Sequence, residues 1–418
     1  MSIALNATQQ RDFRMLLTAI GVSAVGSRVT RTALPMAAIL LLGASPLQLG
    51  WLSVLGVLPG ALVAWWAGAW IDRRSRRAVL IGADWARALL IASVPVAALL
   101  GTLTLVQLGL VAALVCVATV LFEIADHAYL PVIVPSGRLV AANSKRETVD
   151  ALAEITGPPL GGALVQWLTA PFALAIDACS FVVSALLIRR IRAREPWHDH
   201  GDAAPREAGA SLLREAREGA TLVWRHPLLR PLLLSTTLLT FFLSFGSSLY
   251  TLFALRTLHL SPGMLGFVIG CGGLGALGGA AAAPAVVRRI GPGRAARASL
   301  LLGGFAQLFV PLAPADPFAG AAFLIASQLL GDGLLTIYVI TENSLRQQAV
   351  AAQALGRTAA VWKMASSIIA PIGMMLGALL AESAGMRGAL WVLVGGAIVA
   401  GVPLIAARRA LAMPPAPR

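Results

Sequence analysis

Among the charged residues that fall inside long apolar stretches of this sequence, six stand out: Arg28, Arg31, Glu123, Glu154, Asp177 and Asp332. Charges in such places have two chemical uses. They can pair with each other or with a polar ligand, and a carboxyl in a low-dielectric site can bind and release a proton near neutral pH. An arginine at the middle of a membrane helix costs about 2.5–3.5 kcal/mol on insertion scales. Arg28 and Arg31 are three residues apart and so share a helix face. Facing lipid they would together cost roughly 5–7 kcal/mol. They are therefore expected to face a water-filled cavity or acidic partners. As proton carriers the carboxyls rank Asp332, Glu154, Glu123, Asp177. Asp84 and Arg87, also three apart, read as a structural pair.

The elements that position these groups are membrane helices. Of 418 residues 58% are hydrophobic and only 12% charged, and the mean hydropathy is +0.79. A soluble domain carries roughly 25% charged residues. Aromatics make up 6%, so the apolar mass is Ala, Leu, Val, Ile and Gly, which suits helices packed through small residues. Alternating strands of about ten residues are absent, which argues against an outer-membrane barrel.

Stretches of about 20 apolar residues predict twelve spans: 14–42, 47–71, 78–100, 105–126, 147–168, 171–190, 228–254, 262–287, 295–313, 317–340, 358–381 and 386–407. An even number puts both termini on one side. The expected organisation is an N-terminal six-helix bundle (1–190), a linker with an amphipathic helix (191–227) and a C-terminal six-helix bundle (228–418). In the linker, Leu212, Leu213, Ala216, Ala220 and Val223 recur at helical spacing against Arg214, Glu215, Arg217 and Glu218. The halves echo each other: Gly157-Pro158-Pro159-Leu160-Gly161-Gly162 in span 5 has its counterpart in Ala370-Pro371-Ile372-Gly373 and Gly377 in span 11. That spacing is expected of a duplicated six-helix unit.

Between spans 2 and 3 lies Gly68-Ala69-Trp70-Ile71-Asp72-Arg73-Arg74-Ser75-Arg76-Arg77-Ala78-Val79-Leu80. Five charges in six residues make this a tight aqueous turn, and four arginines make it cytoplasmic by the positive-inside rule. Of 33 basic residues, Arg28, Arg31, Arg87 and Lys363 are placed inside spans and Arg256 and Arg387 outside the cell, leaving 27 on the cytoplasmic side. Topology thus accounts for the net charge of +14 without nucleic-acid binding.

This turn resembles the loop 2–3 signature of the major facilitator superfamily, with Gly68, Asp72, Arg73, Arg76, Arg77 and Leu80 in its slots, and with Trp70 and Ser75 departing from it. Gly157, Pro158, Gly161 and Gly162 are similar to the core of the span 5 motif of its drug and proton antiporters, although Ala153 replaces the upstream glycine. Gly26-Ser27, Ala33-Leu34-Pro35, Ala83-Asp84, Arg87-Ala88, Leu130-Pro131, Ala141-Ala142-Asn143-Ser144, Ile176-Asp177-Ala178 and Ser180-Phe181 resemble the macrolide-efflux and siderophore-exporter branch.

The resemblance implies an all-α major facilitator fold of two pseudo-symmetric halves that rock about a central cavity lined by spans 1, 4, 7 and 10, which places Arg28, Arg31, Glu123 and Asp332 on lining helices as a switchable ion-pair network contacted by substrate or protons. It implies a bacterial inner-membrane exporter of bulky amphipathic compounds, coupled to protons. It also implies that Asp72 helps lock the outward-open state with the loop arginines, Asp126 and the start of span 11 near Arg357 and Thr358. Antiporters of this type often carry the coupling acid in span 1, where this chain has arginines.

Other chemistry finds little footing. Gly270-Cys271-Gly272-Gly273-Leu274-Gly275 fits a dinucleotide pattern but lies inside an apolar span with no preceding strand. His198-Asp199-His200 lies in a polar linker and reads as solvated rather than as a metal site. Cys116, Cys179 and Cys271 are odd in number and sit in apolar runs, so they read as core residues. No nucleotide-binding loop is present, so ATP is not the expected driver. No enzyme constellation, metal or cofactor is expected, and the protein is expected to act as a monomer with a small-molecule substrate. The nearest alternative is a lipid or lysolipid flippase of the same fold, ahead of a membrane receptor or enzyme.

Overall fold

The computed structural model describes residues 7–193, 195 and 208–407. The described residues form sixteen α-helices: α1 Ala7–Leu40, α2 Pro46–Leu55, α3 Leu58–Asp72, α4 Arg76–Leu99, α5 Leu105–Ile133, α6 Leu139–Leu168, α7 Ala170–Arg189, α8 Ala208–Arg225, α9 Leu229–Leu252, α10 Pro262–Ile290, α11 Pro292–Ala306, α12 Phe309–Leu312, α13 Pro317–Ala349, α14 Leu355–Ala384, α15 Met386–Val399 and α16 Val402–Ala406. Among the described residues ten segments are long and apolar enough to cross a membrane, counting α2–α3, α11–α12 and α15–α16 as one each and extending α9 to Thr257. The other two long helices, α1 and α6, carry the charges Arg28, Arg31, Arg146, Asp150 and Glu154.

Every expected span is a helix, with ends that differ. The fourth runs on to Ile133, the fifth begins at Leu139, and the tenth continues to Ala349. Spans 2, 9 and 12 are each broken once, where unbroken helices were expected. In all three the first piece ends about one turn before a proline: Leu55 before Pro59, Ala306 before Pro311, Val399 before Pro403. Proline lacks the N–H that would bond to the carbonyl four residues back, and its ring crowds that carbonyl.

The duplication is visible in the backbone. α4 and α11 start at Arg76 and Pro292, α6 and α14 at Leu139 and Leu355, and α7 and α15 at Ala170 and Met386, each pair 216 residues apart. Thr169 and Gly385 occupy the same corner in the two repeats, with φ 75°, ψ 161° and φ 80°, ψ 157°.

The chain divides into two compact units. One comprises Met1–Gly201 with Ser261–Gly270, the other Asp202–Leu260 with Cys271–Arg418. The first is packed around Phe13, Leu16, Ile71, Leu80, Phe122 and Tyr129. The second is packed around Leu229, Leu232, Leu300, Tyr338, Trp362 and Leu404. The expected linker helix is present as α8, and Glu218 on it lies 3.1 Å from Arg357 at the start of α14. His198, Asp199 and His200 lie outside the described residues.

Candidate functional site

The polar centre of the first unit is built on the two faces of α1. One face meets α6. A Cβ on Gly157 would overlap the Cβ of Arg28, and Gly161 sits against Val29 and Thr32. The glycines therefore let the two backbones approach closely. One turn before Gly157, Glu154 receives both arginines: Arg28 Nε lies 2.7 Å from its Oε2, and Arg31 Nη2 3.3 Å. These side chains are 28–58% exposed, so the group faces open space. Gly162 adds a second close approach, to the backbone of Gly266 in the part of α10 that belongs to this unit, and Pro158 is buried between.

The other face of α1 meets α7. A Cβ on Gly26 would overlap Asp177 Oδ1 and Ser180 Oγ. Thr30 donates to Asp177 Oδ2, and Ser180 donates to Asp177 Oδ1 at 2.8 Å. Asp177 is fully buried, as is Asp84 on α4. Between the acids stands Arg87, 2% exposed, ion-paired with Asp84 and within electrostatic reach of Asp177 and Glu123. Its guanidinium is sandwiched between the rings of Phe122 and Phe181, each centroid 4.3 Å away. Such a desolvated cation is held by the ring quadrupoles as well as by charge.

Asp84 and Arg87 do form the pair their spacing predicts, but with Asp177 as a third member. Glu123 is exposed on α5, its carbonyl accepting a hydrogen bond from His127 Nδ1 at 2.7 Å. Asp332 lies in the second unit, on α13 beside Gln328 and against Gly272, with the half-buried Tyr250 nearby. The structure thus gathers Arg28, Arg31 and Glu154 into one group, and joins Asp177 to Asp84 and Arg87 in another.

The α3–α4 turn forms a third polar cluster. Asp72 is exposed, 4.0 Å from Arg76, and Arg73 is exposed beside it. Gly68 lies one turn earlier on α3. Arg77 donates to the carbonyls of Ile188 and Arg189 at 3.3 and 2.5 Å, which ties α4 to the end of α7. Asp126 is paired instead with Arg146 of α6 at 2.9 Å, both buried. Sequence reasoning missed Glu195, whose carboxylate accepts from the backbone N–H groups of Arg76 (2.9 Å) and Arg77 (2.7 Å) and from the hydroxyl of Ser75 (3.1 Å). An acid at a helix N-terminus satisfies orphan donors and complements the dipole. It also missed Glu342, buried beside Arg346 and Trp362 in the second unit. The only available signal was a charge within a long apolar helix.

Comparison with known proteins agrees with this architecture. The chain is similar to the multidrug efflux pump Tap of Mycolicibacterium fortuitum, 26% identical over 91% of each chain. It is similar to macrolide efflux protein A of Streptococcus pyogenes, 24% identical over 91% of this chain and 92% of that one. In fold it resembles a bacterial homologue of the iron transporter ferroportin in an inward-facing state, with TM-score 0.76 and 19% identity over 95% and 98% of the two chains. It also resembles a bacterial homologue of the lysosomal transporter Spinster, with TM-score 0.70 and 13% identity over 98% of both. The profile of the Major Facilitator Superfamily matches residues 16–368, and the chain, helical in two repeats, belongs to that superfamily of membrane transporters.

Proposed function

We propose that this transporter exports amphipathic small molecules from the bacterial cytoplasm by alternating access, with protons moving inward. The observation that carries this reading is the Arg28–Glu154–Arg31 group. Three partly exposed charges inside long membrane helices are stable only against water or a polar ligand, and a carboxylate between two guanidiniums can exchange one partner for a ligand without leaving a bare charge. The similarity to a multidrug pump and to a macrolide efflux protein supports outward movement and a drug-like cargo. In this reading Glu123 and Asp332 supply further embedded carboxyls. The α3–α4 turn, with Asp72, Arg73, Arg76 and Arg77, acts with Asp126 as a conformational lock on the cytoplasmic side. The bonds from Arg77 to the end of α7 and from Arg146 to Asp126 support that role.

The test is substrate-dependent proton flux in proteoliposomes, screened across macrolides, siderophores and lysolipids. A macrolide or siderophore should release protons inward as it leaves, and Glu154→Gln should abolish its transport while the protein still inserts. Movement of lysolipid without a pH gradient would replace the exporter by a flippase.

A further inference from the structure

We propose that Asp84, Asp177 and Arg87 form a binding site for one exchangeable proton, and that this is where the exporter proposed above takes up its coupling ion. The groups facing one another are few. α4 contributes Asp84 and Arg87, α7 contributes Asp177, α5 contributes the exposed Glu123, and α1 contributes the neutral Thr30. Arg28 and Arg31 point to Glu154 on the opposite side of α1. At the centre two fully buried carboxyls confront one guanidinium, with Phe122 and Phe181 closing its two faces. Such a cluster is neutral when it holds one proton and carries a buried negative charge when it does not.

The unpaired atoms show where the proton rests. Asp177 is saturated by Thr30 and Ser180, one on each oxygen. Asp84 gives one oxygen to Arg87, and its Oδ2 is buried without a hydrogen-bond partner. Ser184 Oγ, fully buried on α7, is the hydroxyl within reach of Asp84, though it makes no hydrogen bond of ordinary geometry. A proton on Asp84 Oδ2 would be donated to Ser184 Oγ and would satisfy both atoms at once. Its departure leaves an uncompensated charge, relieved by α1 or α4 parting from α7 to admit water. Thr30 and Gly26 bind α1 to Asp177, so that opening is transmitted to the helix that carries Arg28 and Arg31.

Infrared difference spectroscopy of the full chain in lipid nanodiscs tests this without knowledge of the substrate. On exchange from acidic to alkaline buffer, the wild type should lose a carboxylic-acid C=O band that shifts in D2O. Asp84→Asn should lack that band, and Asp316→Asn, at the exposed N-cap of α13, should keep it. Should Asp84→Asn fail to fold, Ser184→Ala keeps every charge but removes the proposed acceptor, and should move the band to higher frequency. A wild type without the band change, an Asp84→Asn that retains it, or a Ser184→Ala that leaves it unmoved would overturn the proposal. In proteoliposomes with erythromycin as probe, Asp84→Asn should retain exchange across the membrane but lose uptake driven by a pH gradient. If the wild type ignores erythromycin while the infrared band behaves as stated, the macrolide reading fails and the proton site stands.

Discussion

Replacing Arg87 by Met tests the account of the buried cluster most sharply. Met fills a similar volume between Phe122 and Phe181 but removes the one cation, among the described residues, that faces both Asp84 and Asp177. Removing one partner of a buried pair costs about 3–5 kcal/mol, because the remaining charge is left uncompensated. Each lost cation–π contact in a desolvated site adds up to about 2 kcal/mol. Against a total stability of roughly 5–15 kcal/mol, a loss of that size should leave little folded Arg87→Met protein after mild heating in detergent, read by fluorescence-detected size exclusion. Two conditions should restore it. The double variant Arg87→Met, Asp84→Asn should regain part of the loss, since one of the orphaned charges is gone. Acidic buffer should also help, because protons can replace the missing cation. Arg87→Met as heat-stable as the wild type, or a double variant worse than the single, would refute the reasoning.

Three further outcomes follow from local geometry. Gly157→Ala forces its new methyl into Arg28, whereas Gly161→Ala meets Val29 and Thr32 at 3.2–3.3 Å; the first should cost about 1–3 kcal/mol by overpacking and abolish transport, the second much less, and equal effects in a heating assay would count against the close α1–α6 contact. Thr169 holds a backbone conformation that glycine adopts freely at its counterpart Gly385, so Thr169→Gly should gain about 1 kcal/mol once strain relief is set against glycine's added chain entropy, seen as a higher unfolding temperature. His226 Nδ1 accepts the backbone N–H groups of Leu228 (3.2 Å) and Leu229 (3.3 Å) at the start of α9, and burial pushes its pKa down. Its folded pKa lies below the unfolded value of about 6.5, so its contribution is present above that pH and is lost as pH falls through the folded value. His226→Asn keeps an acceptor that does not titrate, and its heat stability should overtake that of the wild type in acid; parallel pH curves would remove the capping role.

The parts of this fold that read directly from sequence are those set by local pattern. Apolar stretches located twelve helices, ten of them within segments long and apolar enough to cross a membrane, and the glycine–proline segments located the repeat, because hydropathy and chain bending are properties of neighbouring residues. The proline breaks at Pro59, Pro311 and Pro403 were missed, since apolar content does not register a missing N–H, and Pro35, Pro95 and Pro131 lie inside unbroken helices. The charged candidates were visible as violations of the apolar pattern, but their partners were not. Thr30 meets Asp177 across 147 residues and Arg31 meets Glu154 across 123. Asp84 and Arg87 looked self-contained because a spacing of three explains them locally, and only the packing of α4 on α7 shows that a second carboxyl shares the arginine.

The organisation of α1 gives these groups a common consequence. Successive residues of a helix are turned by about 100°, so Gly26 and Thr30 lie together on one side while Arg28, two residues from each, lies nearly opposite. That spacing puts the arginines and the threonine on different sides of α1, and the packing turns the first toward α6 and the second toward α7. A continuous helix is stiff over such distances, since its hydrogen bonds fix each residue to the next turn. Arg31 directly follows Thr30, so α1 cannot shift against Asp177 without moving the guanidiniums against Glu154. Coupling between the two polar groups then needs no chain of intermediary side chains. It requires only that protonation changes how tightly α7 holds one face of a rigid rod whose other face carries the exposed charges.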